Sequence, residues 1–334
     1  MSLRTPYLMF IGDAADQLAA KTAKGVVHWR PEWCLGQLRL EGCNADLGIP
    51  DMTLEEAAAA GVKTLVVGVA NRGGIISDAW SATLVRAMEL GMDIASGLHN
   101  KLGDVPAISD AAEIHSRALY DLRHPTRSFP VASGVRRPGK RMLAVGTDCS
   151  LGKMFTALAV WKEMESRSMK VDFRATGQTG IFIAGDGVSV DAVVADFISG
   201  SVETIAPDHD VDHWDLIEGQ GSLFHPSYAG VSLGLLHGAQ ADALVMCHEP
   251  GRQHMRGIPH QPLPSLEECI ALNESCARLT NPDAKVMGFA FNTSSLSDTD
   301  ADACLKETSD KFGMPAVDPV RTGVGPLVDV LEKM

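Results

Sequence analysis

The chain has 334 residues, of which 45% are hydrophobic, and its 29 basic and 42 acidic side chains give a net charge of −13. This length suffices for two domains of ordinary size, and the composition is that of a globular protein. The acidic charge disfavours nucleic acid as a partner, because such binding needs a basic face, and no apolar run reaches the ~18 residues of a membrane span.

The first half, residues 1–122, is predicted to be an α/β domain. Capping-box patterns predict helices that begin at Thr53 and Asp110, and a further helix is predicted near Ala79–Leu90. Strands that alternate with helices form a mostly parallel sheet. No G-x-G-x-x-G pattern follows the first strand, so a nicotinamide cofactor is only weakly indicated. Apolar runs predict the strands Tyr7–Ile11, Val26–Trp29, Thr64–Ala70 and Asp93–Ala95.

Residues 123–139 are predicted to be a linker. They contain three prolines and a cluster of arginines, a composition typical of an irregular segment. The alternative is a long surface loop inside a single domain.

The second half, residues 140–334, has a more regular alternation of strands and helices. A helix over Val190–Ile198 that ends at Gly200 is predicted from its apolar spacing, and another begins at Ser265. This order predicts a doubly wound domain, whose ligands bind beyond the carboxyl ends of the strands. The six predicted strands are Met142–Val145, Lys170–Thr176, His213–Ile217, Ala243–Cys247, Lys285–Phe291 and Pro315–Val317.

A glycine-rich segment joins the first of these strands to an amphipathic helix, which is the context of a phosphate-binding loop. Its backbone amides and the helix dipole favour an anion, and its lysine adds a mobile cation. Five residues separate the glycines instead of the usual four, and a methionine replaces the hydroxyl residue that ligates Mg²⁺. A phosphate ligand held without nucleotide hydrolysis is therefore favoured over an ordinary strand-to-helix turn. The predicted loop comprises Gly146, Thr147, Asp148, Cys149, Ser150, Leu151, Gly152, Lys153 and Met154.

Further polar strings follow other predicted strands, at the edge of the sheet where binding residues belong. Each string alone is compatible with a turn, since Gly, Asn and Ser favour turns. Their occurrence after several strands of one sheet favours a ligand site instead. The residues predicted from these strings to bind substrate are Gln178, Thr179 and Gln220 in the second half, with Asn71 and Arg72 after the strand Thr64–Ala70.

Three side chains are predicted to be catalytic: Glu218, His225 and His248. Glu218 ends an apolar strand and is suited to act as a general base or to hold a metal ion, with a solvated acid as the alternative. The two histidines are candidate bases, although lone histidines are more often structural. Arg252 and Arg256 are predicted to clamp substrate carboxylates, with surface positions as the alternative.

The seven cysteines are an odd number without a C-x-x-C pair, which favours a reducing compartment such as the cytoplasm over a disulfide framework. No spacing typical of zinc ligands occurs, so no metal site is predicted. Cys149 lies at the start of a predicted helix, where a thiolate would be stabilised, and is a minor candidate for a nucleophile.

Several of these strings together are similar to known families. The loop with the later Glu-Gly-x-Gly resembles the phosphate loop and acidic strand end of dethiobiotin synthetase. Nearly the whole chain resembles a two-domain bacterial and archaeal family long catalogued as a domain of unknown function. Some of its members are described as D-glutamate N-acetyltransferases of the DgcN type, partnered with a racemase of the enolase kind. The strings that carry this resemblance are Gly146–Met154, Thr176-Gly-Gln-Thr-Gly180, Asp191–Phe197, Glu218-Gly-Gln-Gly-Ser-Leu-Phe-His225 and Cys247-His-Glu-Pro.

The resemblance implies a Rossmann-like N-terminal domain and a P-loop NTPase-like C-terminal domain. It also implies transfer of an acetyl group from acetyl-CoA to the amine of a D-amino acid, with the CoA phosphates in the loop. Two alternatives stay open: an ATP- and Mg²⁺-dependent ligase or kinase-like enzyme, with Asp148 and Glu218 as ligands, and a nucleotide-binding switch protein. The expected partner is a small molecule, neither nucleic acid nor membrane, and the expected assembly is a homo-oligomer, most simply a dimer.

Overall fold

The computed structural model describes residues 3–69, 75–125 and 128–334. The chain divides into two compact units. Unit 1 is the described part of Met1–Arg127 together with Gly177–Ala192, and unit 2 is Ser128–Thr176 together with Val193–Met334. The segment 177–192 therefore packs with the N-terminal unit, although the predicted boundaries place it inside the C-terminal domain.

Strands and helices alternate along most of the chain, as predicted. None of the helices in the described residues is both long and apolar enough to cross a membrane. In chain order the elements are β1 (Tyr7–Gly12), α1 (Lys21–Trp29), β2 (Cys34–Arg39), α2 (Leu54–Ala59), β3 (Thr64–Val67), α3 (Asp78–Glu89), β4 (Asp93–Ser96), α4 (Pro106–Ile114), β5 (Leu119–Asp121), β6 (Lys140–Gly146), α5 (Lys153–Ser166), β7 (Val171–Arg174), α6 (Gln178–Ala184), α7 (Ile198–Ile205), β8 (Trp214–Ile217), α8 (Ala229–Ala239), β9 (Ala243–His248), β10 (His254–Met255), β11 (Ile258–Pro262), α9 (Leu266–Ala277), β12 (Lys285–Phe291), α10 (Asp298–Phe312), β13 (Ala316–Val317) and α11 (Gly325–Leu331).

Unit 1 is built on a five-stranded sheet in the order β2-β1-β3-β4-β5, in which every neighbouring pair is parallel. β1, β3 and β4 are buried along their whole length, which is typical of a parallel sheet covered on both faces. Helix α6 belongs to this unit, since Arg30 Nε donates to the carbonyl of Ile183 at 2.9 Å. The predicted α/β sheet domain is confirmed.

Unit 2 is built on a six-stranded parallel sheet in the order β13-β12-β9-β6-β8-β7. β6 lies between β9 and β8, and its residues from Arg141 to Gly146 are buried. Because the strands are parallel, the segments that follow β6, β8, β9 and β12 meet at one edge of the sheet. All six strands predicted for the second half are present, and the doubly wound fold is confirmed.

Two local predictions in the first half are wrong. Val26–Trp29 forms the end of α1 instead of a strand, with Val26 and Thr22 buried on the same face of the helix. This four-residue run, Val-Val-His-Trp, is too short to separate the periodicity of a strand from that of a helix. Helix α4 begins at Pro106 instead of Asp110, because a proline in the first turn has its backbone angle already set for a helix. The strands β2 and β5 were not predicted.

The helix predicted over Val190–Ile198 is also absent. Two short 3₁₀ turns, Val190–Ala192 and Ala195–Phe197, precede α7, which begins at Ile198. Val194 is 67% exposed. The apolar residues of this stretch do not form one helical face, because Val190 packs in unit 1 and Ile198 packs in unit 2.

Candidate phosphate-binding and catalytic site

The predicted loop connects β6 to α5 at the centre of the unit 2 sheet. β6 ends at Gly146 and α5 begins at Lys153. Gly152 is the N-cap of α5 and has φ = +95°, a backbone conformation that side-chain-bearing residues rarely adopt. The loop therefore has the strand–turn–helix geometry that was predicted for it.

Several backbone amides of this loop are available to bind an anion. Among the described residues, the amides of Ser150, Leu151 and Gly152 have no hydrogen-bond acceptor. The N-terminus of α5 has neither a side-chain cap nor an acidic residue in its first turn. Helix N-termini carry unsatisfied donors and a positive dipole end, so this one is suited to a phosphate group.

The lysine of the loop is buried, and it has no carboxylate partner in the part of the chain that the structure describes. Lys153 is only 6% exposed, and its Nζ donates to the carbonyl of Asp148 at 2.8 Å. Burial lowers the pKa of the Lys153 ammonium, because removal from water disfavours the charged form. A phosphate oxygen beside Nζ would supply the missing counter-charge.

The one carboxylate within the loop is neutralised by neighbouring donors. Asp148 is fully buried and accepts hydrogen bonds from the amide of Cys149 at 2.7 Å and the amide of Arg256 at 2.8 Å. Arg252 Nη1 lies 2.9 Å from Asp148 Oδ2. Burial alone raises the pKa of the Asp148 carboxyl, but these hydrogen bonds outweigh it and hold the pKa below its ordinary value. Asp148 therefore stays ionised without repelling an incoming anion.

Arg252 is bound to the loop itself. In addition to Asp148, its guanidinium donates to the carbonyl of Cys149 at 2.8 Å and to that of Ser150 at 3.4 Å, and it pairs with Glu249. This places Arg252 as a clasp that fixes the loop, whereas the sequence suggested a clamp for substrate carboxylates. The signal that was missed is electrostatic: a carboxylate inside an anion-binding loop requires a nearby cation.

A short antiparallel hairpin, β10–β11, follows the clasp and was not predicted. Gln261 of this hairpin donates to the carbonyl of Phe224 at 3.1 Å. The turn between its strands contains Arg256. This residue is exposed, and its backbone amide donates to Asp148. The hairpin thus places the backbone of an exposed arginine against the loop.

Cys149 does not have the chemistry of a thiolate nucleophile. Burial, followed by the charge of Asp148, raises the pKa of the Cys149 thiol to about 11. The expectation that the helix N-terminus would stabilise a thiolate is wrong, because the adjacent carboxylate and burial outweigh the dipole.

The strand end after β8 lies against the loop. Glu218 is buried, and its Oε2 accepts a hydrogen bond from the amide of Thr176 at 2.9 Å. A Cβ on Gly219 would lie 1.6 Å from the carbonyl oxygen of Ala144, so only glycine fits here. Gln220 Nε2 donates to Thr176 Oγ1 at 3.2 Å. The structure therefore brings Glu218 and Gln220 to the edge of the sheet that carries the loop.

His248 ends β9 and contacts the first residue after Gly146. Its Nδ1 lies 3.0 Å from Thr147 Oγ1, and its ring packs edge-on against Phe291. Burial, together with the charge of Arg252, lowers the pKa of His248 to about 4. His248 is therefore a neutral imidazole at pH 7, able to exchange a proton or to donate through Nε2 according to its tautomer.

His225 is held at both ring nitrogens. Nδ1 accepts from the amide of Ser227 at 3.2 Å, and Nε2 lies 3.1 Å from the carbonyl of Arg256. Because the Ser227 amide can only donate and the Arg256 carbonyl can only accept, these contacts place a ring proton on Nε2. In this structure the His225 ring connects the turn after β8 to the β10–β11 hairpin.

Two of the remaining predicted substrate residues belong to unit 1. Gln178 and Thr179 are at the start of α6 in unit 1, where the Gln178 side chain packs against Gly97. Asn71 and Arg72 lie outside the described residues. The structure therefore brings together the loop, Glu218, Gln220, His225, His248, Arg252 and Arg256 within unit 2.

The chain is similar to proteins whose activity has been named. It is 58% identical over 329 residues to a D-glutamate N-acetyltransferase from Tritonibacter scottomollicae, covering 98% of this chain and 99% of the relative. It is 49% identical over 328 residues to a D-glutamate N-acetyltransferase from a Pseudoalteromonas species, with the same coverage.

The fold is similar to that of a solved structure. A crystal structure of a DUF1611 family protein from Anabaena variabilis matches with a TM-score of 0.86 and 30% identity, covering 99% of this chain and all of that chain. Residues 38–125 match a domain of unknown function described as Rossmann-like, and residues 130–328 match one described as a P-loop domain. The chain therefore belongs to the DUF1611 family.

Proposed function

We propose that this chain transfers an acetyl group from acetyl-CoA to the amine of D-glutamate, with the loop Gly146–Met154 holding phosphates of CoA. Two curated relatives carry the name D-glutamate N-acetyltransferase, which confirms the predicted class of enzyme, an acyltransferase. The acetyl donor and the role of the loop are inferred from the geometry of the site.

The buried ammonium of Lys153 carries the proposal. It belongs to the same loop as three amides that have no acceptor among the described residues, at a helix N-terminus without an acidic residue in its first turn. CoA brings a pyrophosphate and a 3′-phosphate, so it supplies the anion that this site requires. Acetyl transfer breaks no phosphate bond of CoA, so the loop needs no hydroxyl to ligate Mg²⁺. The methionine at position 154, directly after the lysine, agrees with this requirement.

Acetyl transfer forms a C–N bond and breaks a C–S bond. The neutral amine attacks the thioester carbonyl, the amine loses a proton, and CoA leaves as a thiol after accepting one. Glu218 and His248 are the acid–base groups that we assign to these proton transfers, since both lie at the edge that carries the loop. Gln220 is the donor that we assign to the developing oxyanion, because the loop amides are occupied by the phosphates of CoA.

The exposed guanidinium of Arg256 is assigned to a carboxylate of the amino acid. Arg252 is already bound to Asp148, Cys149 and Ser150, whereas the Arg256 residue is exposed at the turn of the hairpin. A bidentate guanidinium–carboxylate pair would orient a dicarboxylic amino acid with its amine toward the loop.

The competing ligase or kinase-like function requires Mg²⁺ beside the loop. Asp148, its first candidate ligand, already accepts two amides and the Arg252 guanidinium. A divalent cation at this carboxylate would have to displace the arginine. This arrangement favours CoA over a magnesium nucleotide.

The test follows release of CoA thiol from acetyl-CoA in the presence of D-glutamate or L-glutamate, with the product identified by mass. We expect release that depends on D-glutamate and is lost in Lys153→Met. Lys162→Met, which removes a half-buried lysine from the same helix, is the matched control and should retain activity. Absence of release, with Mg²⁺-dependent ATP consumption in a parallel assay, would instead establish the ligase function.

A further inference from the structure

A cavity of about 200 Å³ adjoins the loop in unit 2 and has no assigned role. We propose that it binds the adenine ring of CoA. This inference rests on the proposed function, in which the phosphates of CoA lie on the loop.

Three segments form the walls of the cavity. Leu151 and Gly152 of the loop, with Phe155 in the first turn of α5, form one side. The end of β12, with Phe291 and Asn292, forms the second. The third is the turn after β13, which comprises Asp318, Pro319 and Val320.

The position of the cavity links it to the phosphate site. Leu151 and Gly152 line the cavity and also supply two of the amides that have no acceptor in the described residues. A ligand whose phosphates occupy the loop therefore extends directly into this space. The cavity is smaller than the ~300–1,000 Å³ typical of sites for whole drug-sized ligands, so it suits a single ring system.

The walls match the chemistry of a purine. Phe155, Pro319 and Val320 offer apolar surface, and Val320 is 75% exposed, so it leaves an open apolar side for a planar ring. Asn292 Oδ1 accepts from the amide of Ser294 at 3.2 Å, which leaves its Nδ2 without a partner in the described part of the chain. Carboxamides pair well with adenine, which has both donors and acceptors on its edge.

The cavity is already formed without a ligand. Asp318 is buried and accepts from the amide of Thr293 at 2.9 Å, which ties the turn to the end of β12. Its other oxygen accepts from the amides of Val320 at 2.8 Å and Arg321 at 3.1 Å. These bonds hold the lining residues in place, so little ordering is needed when a base binds.

The test compares two acetyl donors on Val320→Asp. Acetyl-CoA contains the adenine ring, whereas the acetyl thioester of N-acetylcysteamine contains only the thioester end. A charged side chain at the apolar wall should lower kcat/KM for acetyl-CoA about 10-fold or more, on the scale of a lost base–aromatic contact. It should leave kcat/KM for the short thioester unchanged. Val211→Asp, at another exposed valine of unit 2, is the matched control and should alter neither donor.

Binding of adenosine 3′,5′-bisphosphate, measured by calorimetry, separates this inference from the proposed function. If the wild-type protein binds this nucleotide and Val320→Asp weakens it about 10-fold or more, the adenine subsite is supported even where no acetyl transfer occurs. Equal losses with both donors, unchanged nucleotide binding in Val320→Asp, or no nucleotide binding to the wild-type protein would each overturn the subsite. Asn292→Ala provides a second variant, expected to weaken the nucleotide and not the short thioester.

Discussion

The two units contain equivalent turns with opposite properties. In both, a buried parallel strand runs into a glycine and the chain then enters a helix: β1 into α1 in unit 1, and β6 into α5 in unit 2. In unit 1 the turn is filled by protein. Gly12 has φ = +50°, and ring atoms of Trp80 lie 2.8 Å from where a Cβ would stand on it. Asp13 Oδ1 accepts from the Trp80 indole at 2.9 Å.

In unit 2 the equivalent turn leaves its donors open. Ser150, Leu151 and Gly152 have amides without acceptors in the described residues, and Lys153 is a buried cation without a carboxylate partner. Its acid, Asp148, is held by Arg252, whereas Asp13 holds a neutral indole. The two turns therefore differ chiefly in their charged groups, because the unit 2 turn has a buried lysine and a carboxylate paired with an arginine, whereas the acid of the unit 1 turn accepts from a neutral indole.

The largest expected effect concerns the clasp. Arg252→Met leaves the fully buried Asp148 without its cation, and breaking such a pair costs about 3–5 kcal/mol of unfolding free energy. Asp13→Asn in the equivalent turn should cost only about 0.5–1.5 kcal/mol, the scale of one hydrogen bond. Urea unfolding followed by circular dichroism measures both.

The double variant Asp148→Asn/Arg252→Met is the control for this prediction. Removing both charges relieves the unpaired carboxylate, so the double variant should be more stable than Arg252→Met alone. If the losses of unfolding free energy in the single variants Arg252→Met and Asp148→Asn simply add in the double variant, the ion pair does not provide the stability assigned to it.

The next effect is on activity. Lys153→Met should lower kcat/KM about 100- to 1,000-fold, the scale of removing one preorganised donor from a reacting or charged group. Stability should hold or rise, because a buried ammonium without a carboxylate partner is replaced by an apolar chain of similar length. Steady-state kinetics and thermal melting together test this. Activity that persists in Lys153→Met would place the phosphates elsewhere.

A smaller effect is a change in acid stability at His248. Its pKa is about 4 in the folded protein and near its ordinary 6.5 when unfolded. Between these values the unfolded chain binds the extra proton, so stability is present above pH 6.5 and falls as the pH drops toward 4. Protonation of His248 therefore lowers the free energy of unfolding by about 3 kcal/mol at most. His248→Asn should flatten this part of the pH–stability curve, whereas His99→Asn, at an exposed histidine of unit 1, should leave it unchanged.

Much of unit 2 could be predicted from sequence because its signals are local. The capping box at Ser265, the apolar strands and the glycine–lysine spacing each lie within a few residues of chain. Met154 is also a local signal, because its side chain lacks the hydroxyl that would ligate Mg²⁺. Local signals of this kind predicted the loop and the edge of the sheet correctly.

The rest depends on pairing between distant residues. Arg252 meets Asp148 across 104 positions of sequence, and nothing beside either residue indicates the other. The local sequence also gives no indication that α6 packs in unit 1, because α6 directly follows β7, which is a strand of unit 2. The strand prediction at Val26–Trp29 was wrong for a third reason, because a run of only four residues fits a strand and a helix equally well.

The smallest expected effect separates the backbone of the loop from its side chains. Cys149→Ser should retain kcat/KM within about two-fold, because a thiol whose pKa is about 11 is protonated at pH 7 and offers no thiolate for catalysis. Its amide donates to Asp148 and its carbonyl accepts from Arg252, and serine preserves both contacts. A loss of activity comparable to that of Lys153→Met would show that the sulfur takes part in acyl transfer. Retained activity would mean that this turn acts through its amides, its buried lysine and its clasp, and the buried lysine and the clasp are what distinguish it from the turn of unit 1.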